Sequence, residues 1–436
     1  MRRNRVNIVT LGCSKNLVDS QKLLRQLQAG GYSVTAESPD PSDIVIINTC
    51  GFIHDAREES IDTIIRYAEA VKKEGRGRLF VMGCLVERYR QELETAMPEV
   101  KEWFGVNKPG EIINRLGLVY HPGLTGERVM TGPGHYAYLK ISEGCDRACS
   151  FCAIPDIRGR YISTPVEDLV AEAEFLASKG VKELILIAQD LTLYGLDLSG
   201  RQMLPELVRR LTEVNGIEWI RLHYLYPADF PHEILDMMQS EPKICRYIDI
   251  PIQHIADPVL KIMRRSHDSM ETRMLLRNIR MKLPDAAIRT TVIAGHPGET
   301  EKEFGELLDF IEEFRFERLG AFRYSYEENT YSYLNYADDI PEKTKERRVA
   351  RIMELQQRIS AEKNASLVGT VMKAIIDRKE GVFHVGRSQY DSPDVDQEIL
   401  ITSAKKIEPG TFIDVKITGS TEFDLYAVPA QTSQKV

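Results

Sequence analysis

Nowhere do the 436 residues run through the ~18 consecutive apolar positions that a membrane-crossing helix requires. A helical membrane protein is thereby excluded. Cysteine is scarce, with seven residues spread over a long chain. An odd, scattered set cannot make the disulfide framework of a small secreted domain, so a reducing, cytoplasmic compartment is expected. An excess of positive charge is also missing: 57 Lys and Arg stand against 65 Asp and Glu, a net of −8. The overall balance does not advertise nucleic-acid binding. No low-complexity tract or sequence repeat is present. The start, M-R-R-N-R, has the basic character of a secretory leader, but the apolar run after it is too short and is soon interrupted by Lys15. Residues 6–11 read instead as a first strand. Hydrophobic content of 43% beside 28% charge fits a sizeable core, and the length predicts two to four domains.

What cysteine there is falls in telling places. Cys145, Cys149 and Cys152 follow an alternating strand-like run in C-D-R-A-C-S-F-C. Three thiolates at this spacing with no fourth ligand suit a cubane iron–sulfur cluster that leaves one iron open to an outside ligand. A structural zinc site competes, but such sites close with four protein ligands, and the nearest following histidine is the distant His223. Cys13, Cys50 and Cys84 each fall one or two residues beyond a predicted strand, at 6–11, 43–48 and 78–82. Helical periodicity at 17–29 and 56–73 separates these strands, as in an open parallel α/β sheet. Ligands of such sheets bind outside the carboxyl ends of the strands. Three cysteines there converge on one site or are three small buried hydrophobes.

Residues 136–325 alternate for longer. Strands are predicted at 136–141, 183–188, 219–225, 247–252, 287–294 and 318–324. Helices are predicted at 165–179, 204–214, 231–240, 257–282 and 300–315. Six β/α units are fewer than the eight of a full barrel, so a partial, TIM-like (β/α)6 barrel is expected. Its chemistry belongs at the carboxyl ends of the strands, where the cysteine loop, Gln189 and Asp190, Gln253 and His254, and 295–299 all fall. One amphipathic helix is predicted over 341–367, with Val349, Ile352, Met353 and Ile359 inward and its basic run solvated. Five strand-like stretches after 369 suggest a small β-barrel of the oligonucleotide-binding type. The expected division is 1–130 for the N-terminal α/β domain, 131–365 for the barrel with its helix, and 366–436 for the small β-barrel.

C-x-x-x-C-x-x-C with Phe151 before the last cysteine resembles the radical S-adenosylmethionine enzymes. The resemblance implies a [4Fe–4S] cluster whose open iron is chelated by S-adenosylmethionine, reductively cleaved to a 5′-deoxyadenosyl radical. The three-part layout resembles the methylthiotransferases, which replace a C–H bond by C–S–CH3 and carry an auxiliary [4Fe–4S] cluster and a C-terminal TRAM module. By position Cys13, Cys50 and Cys84 match the auxiliary ligands. Within that family, L-G-C-S-K-N-L-V-D-S, I-A-Q-D-L-T-L-Y-G, P-I-Q-H-I and G-R-S-Q-Y-D-S-P-D-V-D resemble the branch that modifies an aspartate β-carbon in the twelfth small-subunit ribosomal protein. The other branch modifies adenosine in tRNA. His296 in G-H-P-G-E-T departs from the aromatic expected there and leaves the glycine turn intact.

The resemblance implies two S-adenosylmethionine-dependent events: methylation of a sulfur on the auxiliary cluster, and radical removal of the substrate hydrogen. It also implies a low-potential donor, a flavodoxin or ferredoxin. From 369 on, ten acidic residues against eight basic ones suit docking to a basic ribosomal protein, free or assembled, with RNA contact secondary. Phe151, Gln189, Asp190, Gln253 and Gly295 are the candidate cofactor contacts, beside the alternatives of simple packing for Phe151 and a satisfied buried amide for Gln253. His254 and His296 read as structural histidines, and Cys245 as a spare buried thiol on the approach to a strand.

Overall fold

The computed structural model describes residues 5–40, 42–74 and 77–430. The leader-like start at 1–4 lies outside them. Near the N-terminus five parallel strands order as β2-β1-β3-β4-β5: β1 Arg5–Thr10, β2 Ser33–Ala36, β3 Ile44–Thr49, β4 Arg78–Gly83 and β5 Glu102–Phe104. β3 is apolar and buried on both faces because helices cover both. Val6 and Ile8 pack against Leu23, Leu24 and Leu27 of α1 (Ser14–Ala29). Val45, Ile47 and Val81 face the opposite core, with Ile64 of α2 (His54–Glu74) and Leu85 of α3 (Cys84–Ala96). Only the three inner strands are expected from sequence. β2 and β5 are short edge strands whose half-exposed or three-residue runs carry little periodic signal.

The central sheet follows the expected alternation. Six parallel strands, Tyr136–Lys140, Glu183–Ile187, Trp219–Leu222, Ile244–Asp249, Ala287–Ala294 and Arg318–Arg323, lie side by side in chain order, so the barrel stays open between the first and the last. Leu184, Leu186, Ile220, Leu222 and Ile248 point toward the helices and form the main core. Alternate positions point into the lumen, where Ile185 and Ile187 lie toward the mouth and the polar Glu183, Arg221 and Asp249 are fully buried. The fourth strand starts three residues earlier than expected, which puts Cys245 inside it rather than before it. Cys245 is buried under Trp219, Tyr247 and Ile375, a spare thiol as expected. The helix expected at 257–282 is two, Asp257–Ile262 and Ser269–Lys282. Arg264 at φ 55 breaks it and an Asp268–Glu271 capping box restarts it.

Helix Glu342–Leu367 spans the predicted range, but its basic run is not simply solvated. Lys345 and Arg348 are buried, the first paired with Asp338 at 2.6 Å and the second with Glu299 and Glu301. Met353, expected inward, is exposed. The last five strands close into a barrel around Ile376, Ile399, Ile401, Val415, Ile417 and Leu425.

That small barrel plugs the lumen of the large one. Its loop at 388–396 brings Ser392 Oγ to 2.9 Å from His223 Nε2, and Asp396 to Tyr247 Oη (2.7 Å) and Arg289 (3.4 Å). Asp391 binds Arg318. Beneath, Glu183 meets Arg221 at 2.8 Å and also Arg387, which in turn meets Asp377 as an ion pair without aligned hydrogen bonds. Asp377, Asp391, Asp396 and Arg387 are thus turned inward. The acidic excess counted from sequence is internal, matched to lumen cations, and the outer surface of the small barrel is close to charge balance.

Burial also fixes protonation in the large barrel. His254 and His267 are pushed down to about 3, by burial first, then by His296 and Arg265 respectively. His223 is lowered well below its usual value by burial and then Arg221. Unfolding frees all three to take a proton near pH 6.5. Their stability contribution is therefore full above 6.5 and is lost as pH falls toward 3. His296, lowered by burial to about 4, adds to this loss, while Glu299, raised by burial to about 7, gains stability as pH falls and opposes it. The net loss between pH 7 and 5.5 should therefore be about 3 kcal/mol, from ~1.4 kcal/mol per group per pH unit. Urea unfolding at the two pH values checks it, and an unmoved midpoint would refute it.

Candidate active site between two cysteine triads

β1, β3 and β4 are neighbours, so their carboxyl ends lie together. Cys13 caps the start of α1, Cys50 directly follows β3, and Cys84 opens α3. The three loops touch. A Cβ on Gly12, at φ +85, would stand 2.9 Å from Cys50 Sγ, and one on Gly51 would stand 2.6 Å from Leu85 Cα. Only glycine permits that approach. Cys13 is exposed, while Cys50 and Cys84 are buried. Burial pushes Cys84 up to about 11, against the opposing field of Arg158; Cys50 is raised chiefly by burial too. Each also feels the charge of Cys13.

The second triad lies on the loop after the first barrel strand. The Arg147 amide donates to Cys145 Sγ (3.4 Å) and Arg265 Nη1 donates to Cys149 Sγ (3.4 Å). Ser150 N donates to Met263 O at 2.9 Å, pinning the loop on the barrel. Burial raises Cys145 to about 11 and Cys152 further. Thiols so buried favour the neutral form; a bound metal displaces those protons and supplies the missing charge. Among the described residues no three Cys, His, Asp or Glu side chains are gathered to the spacing of a single bound ion.

Arg158 ties the segment after the second triad to the first. It lies just past the cluster loop, reaches Asn16 Oδ1 of α1 at 2.6 Å and Glu143 at 2.8 Å, and acts on Cys84 and Cys13. Lys140 pairs with Asp19 of α1 and with Glu143. The N-terminal domain is thereby clamped onto the barrel with its cysteines facing the barrel mouth. Arg147 and Arg265 both stack on the Tyr226 ring, at 4.0 and 4.1 Å.

The candidate cofactor contacts separate by how they are satisfied. Gln189 has both amide atoms buried with no partner, and Gln253, at φ 69, has an unpartnered Oε1. Unpaired buried amides are rare and fit an absent polar ligand. Gly295 sits at φ +82 where a Cβ would strike Lys345 Cγ at 2.4 Å. Asp190 differs. Its carboxylate caps Thr192 N (2.8 Å) and receives Arg147 Nε (2.8 Å), so it braces the loop from within. Phe151 packs on Ala256, Val259 and Met263, edge-on to His296 at 6.2 Å. His296 is hydrogen-bonded between Pro297 and Ser332, a structural histidine. Lys15, Arg147, Arg158, Arg265 and Tyr224 are not singled out by sequence reasoning. Arg147 and Arg158 sit within the C-D-R-A-C and I-R-G stretches, and Lys15 two residues after Cys13, which is the available signal.

Residues 139–311 match the radical SAM superfamily, 5–105 the uncharacterized protein family UPF0004, and 368–429 the TRAM domain. Membership of that superfamily implies a [4Fe–4S] cluster and S-adenosylmethionine. Among solved structures, the radical S-adenosylmethionine methyltransferase TsrM from Kitasatospora setae superposes with a TM-score of 0.53 at 15% identity, covering 73% of this chain and 72% of that one. The cobalamin-dependent radical enzyme OxsB gives 0.51 at 14%, covering 82% and 61%. These likenesses are of fold. Curated relatives are far nearer. A protein of Flavobacterium johnsoniae named ribosomal protein uS12 methylthiotransferase RimO is 52% identical, covering 99% of each chain. Its namesake in Bacteroides thetaiotaomicron is 51% identical, covering 98% of each. With both cysteine triads at the mouths of two clamped α/β sheets and half its residues shared end to end, this chain belongs to the RimO family of radical S-adenosylmethionine methylthiotransferases.

Proposed function

We propose that this protein replaces a hydrogen on the β-carbon of one aspartate of ribosomal protein uS12 by a methylthio group. The observation that carries the reading is the pair of cysteine triads, each at the ligand end of its own sheet, with Arg158 reaching from beyond the second triad to Cys84 and Cys13 of the first. The name and near-complete coverage of the relatives support the substrate. Cys145, Cys149 and Cys152 would hold the radical cluster, and Cys13, Cys50 and Cys84 an auxiliary [4Fe–4S] cluster. When bound, these groups with S-adenosylmethionine supply the hydrogen-abstracting radical and the methylthio sulfur.

The chain's own part is binding, orientation and exclusion of water. Gln189 and Gln253 offer their unpaired amides to the polar groups of S-adenosylmethionine. Gly295 brings the backbone of its turn close to the site while its missing side chain admits Lys345, Phe151 walls the cofactor, and Asp190 acts by holding Arg147 and Thr192. The plug of 388–396 fills the lumen from the small-barrel side, so substrate enters from the cysteine side. The domain limits proposed are 1–130, 131–365 and 366–436. A flavodoxin or ferredoxin supplies electrons, in a cytoplasmic setting, and RNA contact is secondary. No helix among the described residues is long and apolar enough to cross a membrane.

Anaerobic reconstitution with dithionite and S-adenosylmethionine tests the reading. A uS12 peptide containing the aspartate should gain about 46 Da, the mass of a C–H to C–SCH3 replacement. Anticodon-loop RNA in the same tube should not. A gain on the RNA alone would overturn the substrate while keeping the chemistry.

A further inference from the structure

Cations crowd the contact between α1 and the barrel mouth, and nearly all are matched. Lys140 has Asp19 and Glu143, Arg158 has Glu143 and Asn16, and Arg147 has Asp190. Lys15 is the exception. It projects from the first turn of α1, is only 7% exposed, and among the described residues has neither a carboxylate within 4 Å nor a hydrogen-bond acceptor. Its Nζ stands instead 3.6 Å from the centroid of the Tyr224 ring. Val18, one turn on, packs with Tyr136, Tyr138, Ile185 and Ile187 of the lumen, so this face of α1 looks into the barrel.

Tyr224 is held for that contact. It sits at φ 62, a left-handed conformation that a bulky residue adopts only under constraint, and its amide donates to Asp249 Oδ2 at 2.9 Å. An aromatic face returns only part of the hydration an ammonium loses on burial. The carboxylate that holds Tyr224 and the one further along α1 are both taken: Asp249 by Arg289, Asp19 by Lys140 and Arg158. Lys15 is therefore a mostly buried side chain whose ammonium is backed by a ring, keeps a narrow opening to solvent and lacks a counter-ion. It lies two residues from Cys13, on the mouth that the second triad also borders.

We propose that Lys15 receives the side-chain carboxylate of the substrate aspartate, selecting an acid over its amide and presenting the adjacent β-carbon to the mouth. The inference rests on the aspartate reading above and deepens it. A neutral asparagine offers no charge to an ammonium without a counter-ion, so discrimination between the two is the direct readout.

Equilibrium binding of two uS12 peptides, one with aspartate and one with asparagine at the modified position, is measured on wild type, Lys15→Met and Lys15→Arg. The reconstituted proteins are then assayed on both. Wild type should prefer the aspartate peptide by about 100-fold, the scale of one charge pair closed off from water by the bound peptide. Lys15→Met should bring the ratio close to one, and Lys15→Arg should restore most of it. Iron per chain reports folding independently. A general defect would weaken both peptides alike, and an unchanged ratio in Lys15→Met overturns the proposal. A wild-type protein that leaves the aspartate unmodified overturns the substrate reading and this inference with it. An active Lys15→Met with wild-type preference overturns this inference alone.

Discussion

Alanine at Cys145, Cys149 or Cys152 should abolish release of 5′-deoxyadenosine from S-adenosylmethionine, by on the order of a thousandfold or more, equivalent to ~4 kcal/mol of barrel-site chemistry. Three thiolates leave one iron open, and removing one leaves the cluster under-ligated and its site without the charge that offsets burial. Alanine at Cys13, Cys50 and Cys84 together should act differently. Methylthio insertion should vanish while cofactor cleavage, housed on the other sheet, persists uncoupled, and iron per chain should fall by about half if each triad holds an equal cluster. Chromatography of 5′-deoxyadenosine and a colorimetric iron assay read both arms. Cleavage surviving in the first set would refute the radical assignment. Unchanged iron in the triple variant would refute the auxiliary one.

The second large effect is structural. Glu183 is fully buried between Arg221 and Arg387, where the small barrel plugs the large one. Glu183→Ala leaves the buried Arg221 without a carboxylate and Arg387 with Asp377 alone, and breaking a buried pair this way costs about 3–5 kcal/mol. The loss should appear as an early unfolding transition and as faster proteolysis near 367–371, where helix meets small barrel. Glu183→Gln keeps the shape and should recover part of it. A shift under ~1 kcal/mol in Glu183→Ala would mean that water reaches the arginines.

Much of the fold is legible in the sequence because its signals are periodic. The strands at 136–140, 183–187 and 287–294 fall within a residue of their predicted bounds, since each is an apolar or alternating run between turn residues. Differences arise where local pattern is weak or misleads. β5 has three residues, too few to show a period. The apolar run at 250–252 continues past Asp249 as extended chain held to Arg289 and, through Gln253, to Val292, so it resembles a strand end without being one. The basic run near 345 reads as solvated because charge in sequence does not show that Asp338 and Glu299 wait inside. The acidic tail reads as a docking surface for the same reason.

By itself the sequence determined the two cysteine sets and the sheets that carry them. One set is fixed by covalent spacing within eight residues, the other by β/α periodicity that returns each cysteine to an equivalent strand end. Tertiary structure alone decided what surrounds them. Arg158 reaches Asn16 across 142 positions, and Ser392 reaches His223 across 169. Pairings at such separation leave no periodic trace, because each depends on how separately folded layers dock. Lys15 belongs to the same class. In sequence it is one polar residue at a helix start, and only docking of α1 on the barrel shows a buried charge facing Tyr224 without its counter-ion.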